Sequence, residues 1–208
     1  HKTPSLKGFT WTYWKHRFAT FTVTFGSKGT VIALKGWSDE PEPEPEPEPV
    51  PADVEYRYSS ANFHALKGVL DWRNWLKGPI IPFNAKVIVT DKGSSSIEFR
   101  VVETGQEYEF NNDADDSGYD TWALFQKWFP TEDQESALQA LPKKDQNRVL
   151  GAEIKRGMSK DAVRMAVGPP PPHRTPSLRS STWIYWASRT DTLTVHFNDE
   201  GIATRIED

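Results

Sequence analysis

The chain has 208 residues, a formal net charge of −4, 26% charged and 12% aromatic residues, nine tryptophans and no cysteine. That length holds one large or two small hydrophobic cores. The charge balance gives no basic field for nucleic acid, the missing cysteines exclude disulfides, thiolate metal sites and a cysteine nucleophile, and no apolar run approaches the roughly 20 residues of a membrane-spanning helix.

One text is spoken twice. His1-Lys2-Thr3-Pro4-Ser5-Leu6, Thr10-Trp11-Thr12-Tyr13-Trp14 and Thr20-Phe21-Thr22-Val23-Thr24-Phe25 return as His173-Arg174-Thr175-Pro176-Ser177-Leu178, Thr182-Trp183-Ile184-Tyr185-Trp186 and Thr192-Leu193-Thr194-Val195-His196-Phe197. The copies align without a gap, as a duplicated structural unit does. In residues 1–37, Trp11 to Trp14 predicts a strand, and Phe21, Val23 and Phe25 alternate with threonines as in a strand with one buried face. After the Gly26-Ser27-Lys28-Gly29 turn, residues 30–34 predict a third strand. Three strands this short need a partner surface, so a helix upstream, the middle of the chain or the second copy is expected to cover them.

Residues 38–52 carry a strict Glu-Pro alternation, from Glu40-Pro41 to Glu48-Pro49. Proline at every second position forbids helix, so an extended spacer is expected, about 3.1 Å per residue and roughly 35 Å long. Residues 53–112 predict a small β-rich, SH3-like domain. Asn62 to Leu76 reads as short helical turns and loop, and strands are expected at 85–90, 97–102 and 106–110 between glycine turns.

Residues 113–150 predict a helical connector. Its acidic start places Asp113, Asp115, Ser117 and Gly118 on the first positions of a calcium-loop template, but Leu124 stands where a bidentate glutamate is required. The alternative is that Asp120 or Thr121 opens a helix carrying Trp122, Leu124, Phe125, Trp128 and Phe129, stopped by Pro130. Further helical stretches are expected at 131–141 and 143–150. In residues 151–208, Ser159 caps a helix with Val163, Ala166 and Val167 on one face, Gly168-Pro169 stops it, and the repeated strands follow.

Gly157-Met158-Ser159, a short helix, Gly168-Pro169, a loop, Trp183-x-Tyr185, Val195-x-Phe197 and Gly201 together resemble the SmpA/OmlA family, the BamE-like small lipoproteins of bacterial outer membranes. The likeness runs from Gly157 to about Ile206. It implies helices packed on an antiparallel sheet, similar to the repeats of β-lactamase inhibitory protein. It also implies a lipid anchor upstream, a place on the periplasmic side of the outer membrane, and an envelope protein as partner. Residues 1–34 match only the sheet half, so an incomplete first copy, a homo-oligomer or a domain swap is expected there.

Five histidines, His1, His16, His64, His173 and His196, lie in no nucleophile-and-base pattern, and Ser5 and Ser177 follow proline as turn residues do. No enzyme, no metal and no cofactor is expected. Alternation sends Trp183 and Tyr185 to one face of their strand and Ile184 and Trp186 to the other, leaving one large aromatic per copy outside the core. The candidate binding residues are therefore Trp14, Trp186, Tyr185, Arg189 and Arg174. The expected fold class is α+β. A non-catalytic envelope scaffold or docking module is expected, with a soluble inhibitor-type binder or cell-wall binding as alternatives.

Overall fold

The computed structural model describes residues 9–16, 19–26, 28–35 and 55–208. The chain divides into two compact units, His1–Glu46 and Pro47–Asp208. The expected Glu-Pro spacer lies outside the described residues. The architecture is mixed α+β, several antiparallel sheets with a few short helices.

The first unit is a three-stranded antiparallel sheet of β1 (Phe9–His16), β2 (Ala19–Phe25) and β3 (Val31–Lys35). Trp11 pairs with Val23 and Val23 with Leu34, and a bulge falls between Thr24 and Phe25. Val23 is buried, while Val31 and Ile32 are exposed.

The second unit begins with a five-stranded sheet in the order β4-β8-β9-β10-β6. Its members are β4 (Tyr56–Tyr58), β6 (Val69–Asp71), β8 (Lys86–Lys92), β9 (Ser96–Val101) and β10 (Glu107–Asn111). Only the β10–β6 pairing is parallel. A short antiparallel pair, β5 (Phe63–His64) with β7 (Ile80–Ile81), lies beside it. Residues 62–76, read from sequence as helical turns and loop, thus contain β5 and β6 with no helix. Strands of two and three residues hold too little of a period to be recognised.

The helices are α1 (Ala114–Ser117), α2 (Thr121–Trp128), α3 (Glu135–Gln139), α4 (Lys143–Leu150) and α5 (Lys160–Val167). The acidic stretch serves as caps. Asp113 accepts hydrogen bonds from the backbone N–H groups of Asp115 and Asp116, and Asp120 accepts one from Ala123 N at 3.0 Å. Both satisfy donors that a helix start leaves open. Among the described residues no group of three or more His, Asp or Glu side chains converges as a metal site would require.

Two hydrophobic cores form. In the first, α2 lays Phe125, Trp128 and Phe129 on Phe63, Phe99 and Phe110 of the sheets. Phe63 stacks on Trp128 with centroids 4.7 Å apart. In the second, Ala162, Val163, Ala166 and Val167 of α5 cover Trp183, Tyr185, Val195 and Phe197. These last four belong to the sheet of β11 (Thr182–Trp186), β12 (Thr192–Phe197) and β13 (Ala203–Glu207). Gly157 N donates to Ala203 O and Ala203 N to Met158 O, tying the Gly-Met-Ser turn to the sheet that its helix covers.

The third sheet repeats the pairing of the first. Trp183 pairs with Val195, Val195 with Ile206, and a bulge falls between His196 and Phe197. Each of these positions is its counterpart in the first sheet moved by the offset that carries His1 to His173.

The two cores are joined by buried asparagines. Asn62 donates from Nδ2 to Val149 O (2.6 Å) and Ala166 O (3.1 Å) and accepts from Phe83 N (2.8 Å). Asn74 donates to Val167 O (2.7 Å) and Pro169 O (2.9 Å). The stretches 53–112, 113–150 and 151–208, separate in the sequence reading, are thereby parts of one compact unit.

Candidate functional site

The β11 strand alternates as its sequence requires. Trp183 and Tyr185 are buried, whereas Thr182, Ile184 and Trp186 are half-buried on the other face. Trp186 is held from three sides. Its carbonyl accepts from Leu76 N at 2.9 Å, its Nε1–H donates to His173 Nε2 at 3.0 Å, and its ring stacks on Trp75, centroids 6.2 Å apart and planes 22° apart. Trp75 is oriented in turn by Asp71, which accepts from Trp75 Nε1 at 3.2 Å and pairs with Arg73 at 3.0 Å.

Because Nε2 of His173 accepts the indole hydrogen, Nδ1 carries the ring's single proton. The pKa of His173 is lowered, first by desolvation against the neighbouring rings although the residue is exposed, then by the charges of Arg174 and Arg73. Both causes preserve the neutral acceptor. Trp72 and His173 meet edge to face with centroids 5.1 Å apart, and Trp72 itself is buried. The result is a row of rings, Trp72, His173, Trp186 and Trp75. Arg174 lies over Trp186 at 4.8 Å and Arg73 over Trp72 at 5.0 Å, both within cation–π range.

Two concavities adjoin the row. A cleft of about 470 Å³ lies toward α2 and α5, walled by Trp72, Trp128, Tyr119, Met165, Pro170 and Leu178. An open groove of about 570 Å³ lies on the Trp75 side, bounded by Leu66, Val69, Arg73, Lys77 and Arg189, with His64 and Asp71 also lining it.

Of the residues chosen from sequence, Trp186 and Arg174 come together, and Arg189 lines the groove beside Trp75. Tyr185 does not join them. Its ring is fully buried and its hydroxyl donates to Gly168 O at 3.1 Å, so it belongs to the core and no partner reaches it. The same burial pushes its phenol pKa well above the ordinary value. The side chain of Trp14 lies outside the described residues. Sequence reasoning missed Trp75, Trp72 and Asp71, whose only signal was the dense Trp72-Arg73-Asn74-Trp75 run.

A second row crosses the outer face of the third sheet. Thr182 Oγ1 lies 3.3 Å from His196 Nδ1, and His196 Nε2 lies 2.9 Å from Glu207 Oε2. The hydrogen bond from His196 is the chief reason the Glu207 carboxyl lies below its usual range. Arg205 Nη2 reaches the same imidazole nitrogen at 3.2 Å, and neither concavity includes these residues. The row is a set of cross-strand polar pairs of the kind that stabilises sheets. No described helix is long and apolar enough to cross a membrane.

No known family, no curated protein and no solved structure matches the chain.

Proposed function

We propose that the protein is a non-catalytic docking module of the bacterial cell envelope, and that the row built around Trp186 is its contact surface. One observation carries this reading. Trp186 stands outside the core, yet its ring, its N–H and its backbone are all immobilised by Trp75, His173 and Leu76. A large aromatic held rigid before a partner arrives binds with little further loss of rotamer freedom, and arginines at its rim add donors. The repeat points the same way. On the outward face Ile184 and His196 stand where the first copy has Thr12 and Thr24, but Trp186 is matched by Trp14.

The envelope placement rests on the likeness to the SmpA/OmlA family. It is supported by the arrangement of Gly157-Met158-Ser159, α5 and a three-stranded antiparallel sheet, and the same features support a fold like the repeats of β-lactamase inhibitory protein. The five-stranded sheet before it is read as SH3-like in scale. In this reading a lipid anchor lies upstream and the module faces the periplasm.

The test is capture of envelope proteins by purified chain, identification of the captured protein, and reconstitution of the pair from pure components. Trp186→Ala is expected to weaken that pair at least tenfold, the size of effect a central aromatic carries, with the fold preserved by circular dichroism. Unchanged affinity removes Trp186 from the contact. A second reading, an inhibitor-type binder with two sheet modules, is favoured by the shared register of the first and third sheets. An enzyme captured and inhibited by the pure chain is its signature.

A further inference from the structure

We infer that the groove beside Trp75 receives an acidic, proline-alternating segment, residues 40–49 of a second copy of this chain. This deepens the docking reading, on which it rests, by naming one partner and its chemistry.

The groove unites two properties that seldom occur together. Leu66, Val69 and Trp75 line it with apolar surface, and Arg73, Lys77 and Arg189 line it with positive charge against the single carboxylate of Asp71. Lys77 and Arg189 are exposed and have no ion pair among the described residues. A groove of that kind selects an extended anionic chain with apolar matter between its charges.

The Glu-Pro run has that chemistry. Alternate prolines hold a polypeptide near the polyproline conformation before binding, and prolines dock on tryptophan-lined grooves because little entropy is left to lose. The alternation sets successive glutamates roughly 6 Å apart on a rod rising about 3.1 Å per residue. The charge of the chain is also divided in this way. The run carries Glu40, Glu42, Glu44, Glu46 and Glu48, so a formal charge of −4 with these five becomes +1 without them. One segment carries an unbroken series of acids with no base among them, and base lines one groove. Topology favours delivery from a second molecule. The segment precedes β4, one edge of the five-stranded sheet, while the groove borders β6, the opposite edge.

The proposal is tested on the full chain by sedimentation from about 1 µM to 1 mM at low salt, with a synthetic peptide of residues 39–50 as competitor. Wild type is expected to self-associate, and the peptide to reverse it. Lys77→Glu with Arg189→Glu is expected to weaken association about tenfold or more, as is replacement of the five glutamates by glutamine; raising the salt acts in the same direction. Lys77 and Arg189 are exposed and the five glutamates lie in the Glu-Pro run, so folding of both variants is checked by circular dichroism. Changing the five glutamates to lysine in the Lys77→Glu, Arg189→Glu background is expected to restore association. A monomer across the whole range overturns the proposal, as does association indifferent to both sets of charge changes. Binding of an anionic glycan such as polygalacturonate in place of the peptide also overturns it. None of these outcomes touches the Trp186→Ala measurement, so the docking reading stands or falls separately.

Discussion

His173 shows how one imidazole governs a surface. It accepts the Trp186 indole hydrogen only while neutral, and desolvation together with Arg174 and Arg73 lowers its pKa. A base whose pKa is depressed by folding contributes stability that is complete above its unfolded value of about 6.5 and is lost as pH falls through the folded value. Acidification below that value is therefore expected to break the Trp186 bond and shift the tryptophan emission, with a midpoint under 6.5. His173→Gln, which keeps an acceptor but does not titrate, is expected to remove the transition; a transition that persists assigns it to another group. The outward place of Trp186 was legible from simple alternation. Its neighbours were not, because nothing local in the sequence brings Trp75 or His173 to it. Tyr185, chosen from sequence as a binding residue beside Trp186, lies in the core, on the face that the same alternation gives it.

At the scale of elements, α5 is bounded by two residues with distinct physical tasks. Ser159 accepts from Ala162 N and starts the helix, and Gly168 ends it at φ 81° and ψ 178°, a conformation essentially reserved for glycine. A Cβ at Gly168 would also stand 2.6 Å from Asn74 Nδ2 and 2.8 Å from Phe63 Cε1. Gly168→Ala is accordingly expected to destabilise the protein by about 2–4 kcal/mol, from backbone strain and displacement of Asn74 together. Chemical denaturation measures it, and a loss under about 0.5 kcal/mol contradicts the close approach. This helix and the strands around it were readable because caps, stops and a one-sided apolar face are local signals. The β5 and β6 strands were not readable, since two or three residues in a strand define no period and their pairing is made by distant partners.

For the molecule as a whole, the joint between the two cores is polar. Asn62 bonds Val149 O, Ala166 O and Phe83 N, three groups from distant parts of the chain, the first of which also accepts from Ala152 N at 2.9 Å. Removing one partner of a buried hydrogen bond costs more than making the bond contributes. Asn62→Ala is expected to lower stability by about 2–4 kcal/mol and to separate unfolding into two transitions, one for each core. Calorimetry on wild type and variant distinguishes this from a uniform loss, in which one transition simply moves. From sequence, one asparagine in a stretch read as turns gave no sign of this office. Only the packing of α4 and α5 against the β-rich part assigns it.

The shared register of the first and third sheets bears on how the chain tolerates rearrangement. Trp11, Tyr13, Val23 and Phe25 have the same identities as Trp183, Tyr185, Val195 and Phe197, and the bulge recurs at the same step. The two stretches are in effect interchangeable cassettes. A recombination that put residues 10–35 in place of 182–207 would join the chain in frame and return to α5 the same Trp, Tyr, Val and Phe identities that it now covers. On the inward side Leu193, Ala203 and Ile206 would give way to Phe, Val and Leu, apolar for apolar, while the outward face would change in character, so a single gene of this design can exchange its recognition surface between copies at the cost of a modest repacking inside.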